Sequence, residues 1–187
     1  QRTMMYDVRN RLLDGGSLDP DVGQELARES VKTFLKEHRK LTTGDVTRYV
    51  LNNISYDLNN RFLNIGQVKK RERKKVLKRA LLSYTASVWK NKVKSFSSEE
   101  ELKEYVRLCC LQAIDNAWVE QVDYLQQLQY VVSGRSTAQR NPVFEYHEEA
   151  RQSFLLMEKT IKKEIVRNIF LGQIQYSKTG EMQVLFP

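Results

Sequence analysis

The 187-residue sequence predicts an all-α fold: an elongated set of helices built around one long antiparallel two-helix hairpin, with a smaller helical subdomain. Three observations carry that expectation. Apolar residues recur at intervals of three and four over two long stretches, the period of a single helix face. Capping residues stand where those stretches begin. Only eight glycines and three prolines occur, too few to break the chain into many short pieces.

Met5, Val8 and Leu12 keep a helical spacing from almost the first residue, with no capping residue ahead of them, so this helix is expected to begin upstream of Gln1. Asp14-Gly15-Gly16 ends it, because glycine takes the backbone angles of a helix C-terminus at little cost. Asp19-Pro20 then opens a second helix to about His38, with Val22, Leu26, Val31, Phe34 and Leu35 as core candidates. A turn at Thr42-Thr43-Gly44-Asp45 precedes a shorter helix through Val46, Tyr49, Val50 and Ile54. Asn52-Asn53, Asn59-Asn60 and 64–66 break the pattern, because asparagine side chains compete for backbone hydrogen bonds. A long helix returns from Val68 to Phe96, with Leu77, Leu81, Tyr84 and Val88 on one face.

The hairpin follows. Ser98 and Glu101 stand three apart, the spacing of a reciprocal N-terminal cap. Leu111, Ile114, Trp118, Val122, Leu125, Leu128 and Val132 form a stripe of about six turns. Asn141-Pro142 opens the second arm, with asparagine as cap, proline where no amide partner is lost, and Glu145 near the positive helix end. Ala150, Phe154, Met157, Ile161, Ile165 and Ile169 make a matching stripe. These stripes and Trp118 read as core. Beyond Leu171 the polarity is mixed, and Gln183 to Phe186 read as a short extended segment or an unordered tail.

Composition excludes several functions. No apolar run reaches bilayer-spanning length, and the first residues carry no signal-peptide pattern. The two cysteines, Cys109 and Cys110, are adjacent and too close for an unstrained bridge, which fits a reduced, cytosolic chain. The two histidines, His38 and His147, lie far apart with no cysteine pair at ligand spacing, so no metal site is expected. His147-Glu148 lacks the second histidine of a metalloprotease motif, since Arg151 stands at that place. No Gly-rich loop ending in Lys-Ser or Lys-Thr is present, so the chain cannot cradle ATP by a P-loop and no catalytic residue is assigned.

The net charge of +8 is concentrated locally. Lys69, Lys70, Arg71, Arg73, Lys74, Lys75, Lys78 and Arg79 against Glu72 put +7 between positions 69 and 79. This run, Lys69 to Lys75 above all, is the candidate contact for an acidic membrane surface or an acidic partner. An independent basic helical module for nucleic acid or an acidic protein is the alternative reading. Nucleic acid is disfavoured, because no zinc spacing, RNP-like aromatic motif or short helix-turn-helix accompanies the charge.

Ile114-Asp115 and Trp118, then Asp123-Tyr124-Leu125, then Ala138-Gln139-Arg140-Asn141-Pro142 and Glu145-Tyr146 stand in an order that resembles SecA, the ATP-driven motor of bacterial protein export. Gln1-Arg2, Tyr6, Arg9 and Leu12-Leu13-Asp14-Gly15 resemble the end of that family's long scaffold helix. Between Ser17 and Arg79 the likeness is faint, in keeping with the family's variable helical wing. The resemblance implies the end of a scaffold helix over 1–16, a wing over 17–96, a two-helix finger over 97–171 and a tail over 172–187. It also implies that Arg135, Ser136, Thr137, Ala138, Gln139 and Arg140 form a finger tip contacting a SecY-type channel and a preprotein client. Arg135 and Arg140 offer cationic donors there, and the neutral tip residues offer hydrogen bonds without apolar grip.

Two departures refine the resemblance. Thr137 stands where the family usually carries a tyrosine, in a tip longer by a few residues, and the chain ends at Phe186-Pro187 without a cysteine and histidine zinc tail. Both point to an accessory SecA of a Gram-positive bacterium, with accessory secretion proteins as further partners. The implied parent is a translocating ATPase using ATP and Mg, cytoplasmic and peripheral at the inner face of the cell membrane. This fragment is expected to hold no cofactor and no activity of its own.

Overall fold

A computed structural model describes residues 1–14, 19, 21–38, 40–58, 69, 72–134 and 141–187. Six helices are present among them: α1 (Arg2–Leu13), α2 (Val22–Glu37), α3 (Thr43–Asn53), α4 (Arg73–Val93), α5 (Glu99–Gly134) and α6 (Pro142–Leu171). Two short strands follow, β1 (Gln173–Tyr176) and β2 (Met182–Leu185). The all-α expectation holds, with a minor strand pair added. Among the described residues no helix is long and apolar enough to cross a membrane.

The chain divides into two compact units, Gln1–Gly16 with Leu111–Lys162, and Ser17–Cys110 with Lys163–Pro187. In the first, α1 lies on the paired arms of α5 and α6. Met5, Ile114, Ala117 and Met157 are buried together, with Leu12, Trp118, Phe154 and Ile161 packed against them. Val8, placed on this face by its spacing, is instead exposed. The inward stripe runs through Met5, Arg9 and Leu12, and Arg9 spends its guanidinium on Asp115, Nε to Oδ1 at 2.7 Å and Nη2 to Oδ2 at 3.2 Å. Trp118 is half-buried rather than enclosed, and it meets the Tyr6 ring edge-on at 6.5 Å. Farther along the arms Leu128, Val132 and Ala150 form a second small core with Leu125 and Tyr146.

The second unit collects α2, α3, α4, the base of each long helix and the strand pair. Its fully buried side chains include Val31, Val46, Val50, Ile54, Leu81, Tyr105 and Ile169. α2 and α4 run antiparallel: Lys74 Nζ donates to the Leu35 carbonyl at one end, and Gly23 faces Trp89 at the other. Gly23 also lets Ile169 of α6 come close, since an added Cβ would lie 3.0 Å from its Cγ2. Trp89 takes the buried position, while Val88 is half-buried.

The helix ends follow local chemistry. α2 starts at Val22, two residues later than Pro20 implied, because the Asp19 carboxylate turns the chain by accepting the Asp21 N–H at 2.9 Å. Thr42 and Asp45 form a full capping box for α3. Ser98 Oγ accepts the Glu101 N–H at 3.1 Å, and the Glu101 carboxylate reaches back one residue further, to the Ser97 N–H at 2.6 Å. Asn141 caps α6 through Val143 N–H at 3.0 Å. α4 begins at Arg73 and ends at Val93, so Phe96 lies beyond the helix, while Val68 lies outside the described residues.

The C-terminus of α6 is held from within the core. The Tyr105 hydroxyl lies 3.0, 2.9 and 3.1 Å from the carbonyls of Asn168, Ile169 and Gly172. Lys92 Nζ donates to the Phe170 carbonyl at 3.2 Å and also to that of Gly172. These groups satisfy carbonyls that a helix end leaves unpaired, and the cation suits the negative end of the dipole. The tail then forms an antiparallel hairpin with Ile174 opposite Val184 and Tyr176 opposite Met182. Gly180, at φ 82°, makes the left-handed turn. Of the two expectations for Gln183 to Phe186, extended or unordered, the strand β2 realises the first, and β1 is added to it.

Candidate functional site

α5 has 36 residues and α6 has 30, so these helices run about 54 and 45 Å. The assigned tip, Arg135, Ser136, Thr137, Ala138, Gln139 and Arg140, lies outside the described residues. The turns leading to it are described, and they expose large apolar side chains beside the polar Gln129, Ser133 and Asn141. Tyr130 is 81% exposed and Phe144 69%, with Val131 and Val143 exposed beside them. The buried contacts of these turns belong instead to Leu128, Val132 and Ala150. Sequence reasoning followed the stripe and passed over these residues. Their signal was their place off the stripe, where a solvated helix face is normally polar.

Between the arms runs an open groove of 810 Å³, with Ala117, Met157 and Leu156 as apolar lining and Glu120, Glu149 and Gln152 among its polar groups. On the outer face of α6, Glu148 accepts from Arg151 at 2.9 Å, and that guanidinium holds its carboxyl below the usual range. His147 is an exposed residue of the same helix. Among the described residues no group of three or more histidine, cysteine and carboxylate side chains could hold a metal ion.

The basic run resolves into different roles. Lys70 and Arg71 lie outside the described residues. Lys69 and Lys75 are exposed, as are Lys78 and Arg79, while Arg73 is half-buried. Lys74 has a structural task, its amine donating to the Leu35 carbonyl at 3.0 Å near the end of α2. The same antiparallel packing places the C-terminal half of α2 beside the start of α4, and there Lys32 and Lys36 are also exposed. Exposed cations therefore stand on both of these packed helices. Those on α2 were legible as basic residues four apart, a spacing that puts them on one face.

Burial shifts the titrating groups in the core of the second unit. Cys109 and Cys110 are free thiols, each pushed up to about 12 by desolvation. Lys92 is pushed down to about 8 for the same reason. Thiols so disfavoured as thiolates are poor nucleophiles at neutral pH, so this cluster is core rather than chemistry.

The family model for the SecA Wing and Scaffold domain matches residues 1–173. Protein translocase subunit SecA 2 of Streptococcus agalactiae serotype V is 32% identical over 195 aligned residues, and that of Staphylococcus aureus strain Newman is 34% identical over 187. Each match covers 100% of this chain and 23% of the relative, so the chain spans about a quarter of their length. The Arg9–Asp115 clasp, the capped arms and the second helical unit thus sit in a sequence related to those subunits along its whole length, and the chain belongs to the SecA family as its wing and scaffold domain.

Proposed function

We propose that this chain is the part of an ATP-driven protein translocation motor that meets the SecY-type channel and the preprotein client, through the distal end of the α5–α6 hairpin. One observation carries the reading. Tyr130, Val131, Val143 and Phe144 expose apolar surface on the last described turns of both arms, flanking the polar segment 135–140. Exposed apolar surface on the turns next to a polar segment suits a site that grips side chains of an unfolded polypeptide. Thr137 and Arg140 add hydrogen bonds and charge at the tip. ATP and Mg bind the remainder of the motor, whose domain movements reposition the hairpin.

The exposed cations Lys32, Lys36, Lys69, Lys75, Lys78 and Arg79 support a peripheral site at the inner face of the cell membrane, facing acidic lipids. Accessory secretion proteins are further partners in this reading. A photo-cross-linker at position 144 of the full-length motor tests the main proposal. Adducts with the channel or with an arrested client are expected only in the channel-bound state. Their absence, together with a salt-sensitive shift of generic DNA by these cations, would instead favour an independent nucleic-acid-binding module.

A further inference from the structure

Gln121 on α5 is only 5% exposed, yet it is a long polar side chain in the seam between the arms. Both protons of its carboxamide are used: Nε2 donates to Gln1 Oε1 at 3.2 Å and to Ser153 Oγ at 2.8 Å. Gln1 Nε2 in turn donates to the Ala150 carbonyl at 3.0 Å, and Ser153 Oγ donates to that same carbonyl at 3.0 Å. The four groups close a ring. It joins the start of α1, the middle of α5 and one turn of α6. The apolar contacts around it, among Met5, Ile114, Ala117 and Met157, are non-directional and tolerate sliding of one helix past another. The hydrogen bonds are directional, and an axial shift takes Gln1 Oε1 or Ser153 Oγ away from the buried Gln121 carboxamide.

We infer that Gln121 is a positioning residue, which locks the axial register of α1 against both arms so that movement of α1 is passed to the hairpin rather than lost by slippage. Arg9 and Asp115 hold the same two helices about two turns away on α1, but that pair is partly exposed and is weakened by water and salt. Gln1 is exposed and the ring is only part-buried, but the Gln121 carboxamide at its centre is buried, and it is this group that fixes the register. Ser153 and Gln121 also line the groove between the arms, so the lock lies directly under whatever enters it.

The role of this lock in translocation rests on the motor reading above, and the test separates the two. Gln121→Met keeps the length and apolar volume of the side chain and removes both donors. Spin labels at the exposed positions 4 on α1 and 119 on α5, in the full-length motor, read the register directly. The parent is expected to give one narrow distance distribution and Gln121→Met a broadened one, with basal ATP hydrolysis unchanged. ATP consumed per client exported should rise about tenfold, the size of a coupling effect carried by one network. Ser153→Ala, which removes one partner and no volume of consequence, should broaden the distribution less. An unchanged distribution in both variants overturns the lock. Broadening with an unchanged ATP cost per client overturns its role in transmission. A parent motor that exports no client refutes the motor reading alone, since the distance measurement then still decides the lock.

Discussion

The Tyr105 hydroxyl lies 3.1 Å from the Gly172 carbonyl, and a Cβ placed on Gly172 would stand 2.8 Å from that same hydroxyl and 2.4 Å from the Asn168 carbonyl. The glycine is therefore required by close approach rather than by an unusual backbone angle. Gly172→Ala must push either the helix end or the tyrosine, and is expected to cost about 1 to 3 kcal/mol in urea unfolding. Tyr105→Phe leaves the carbonyls at the end of α6 with less than their share of donors, at a similar cost. Gly134→Ala is the control, since nothing lies within 4 Å of its added methyl. Equal stability of Gly172→Ala and Gly134→Ala would show that the end of α6 is looser than this packing demands.

Titration of the same region gives a signed expectation. The folded chain keeps the Cys109 and Cys110 protons to about 12, against 9 when unfolded, so their contribution to stability is complete below pH 9 and is lost as pH rises toward 12. Lys92 acts oppositely: with a folded value of about 8 against 10.5, stability is recovered as pH rises between those values. Each group contributes a slope of at most about 1.4 kcal/mol per pH unit. Two thiols outweigh one amine, and Tyr49 and Tyr105, both raised by burial, add to the loss above pH 10. Stability measured from pH 7.5 to 11 should therefore decline above pH 9. Lys92→Met should steepen that decline and Cys110→Ala should flatten it. Reversed signs would mean that these groups are solvated.

Much of this architecture is legible in the sequence because it is written in local chemistry. Ser98 and Asn141 announce their helices through caps that need only neighbouring residues, whereas 42–45, read as a turn, is the cap and first turn of α3. Val46, Val50, Leu81 and Ile169 follow from spacing alone. What spacing could not give was which of two neighbouring faces wins. Val8 and Trp118 fit the helical period, yet Arg9 and Gln121 occupy the inward positions, because partners over a hundred residues away satisfy them. The basic run likewise read as one block, and the Lys74 amine within it also reaches the Leu35 carbonyl on α2. Long-range pairing decided each of these cases.

Lys32, Lys36, Lys75, Lys78 and Arg79 are exposed, so changing all five to glutamine should leave helix content and melting temperature as they are. Binding to vesicles of acidic lipid at low salt should fall steeply, on the order of 1 kcal/mol for each cation near the surface, and the difference should shrink as salt is added. Lys74→Gln alone should show the converse, a lower melting temperature with vesicle binding nearly intact. Undiminished binding of the five-fold variant would remove the membrane from the account of this surface.

The distal arms give the sharpest contrast between surface and core. Tyr130 and Phe144 face solvent, whereas Leu128, two residues from Tyr130 on the same helix, is buried against Val132 and Ala150. Leu128→Ala should cost about 2 to 5 kcal/mol, because its loss leaves a cavity between the arms. Tyr130→Ser with Phe144→Ser removes more apolar surface and yet should leave the melting temperature near wild type, since neither ring is covered in the folded chain. If those rings grip the client or the channel, that same pair of changes stops export by the full-length motor while basal ATP hydrolysis continues. Thr137→Asp with Arg140→Ala should do likewise, through the polar half of the contact. Export at the wild-type rate by both double variants would leave the hairpin as scaffold alone. Loss of export in the first but not the second would place the working contact on the aromatic rings rather than on the tip.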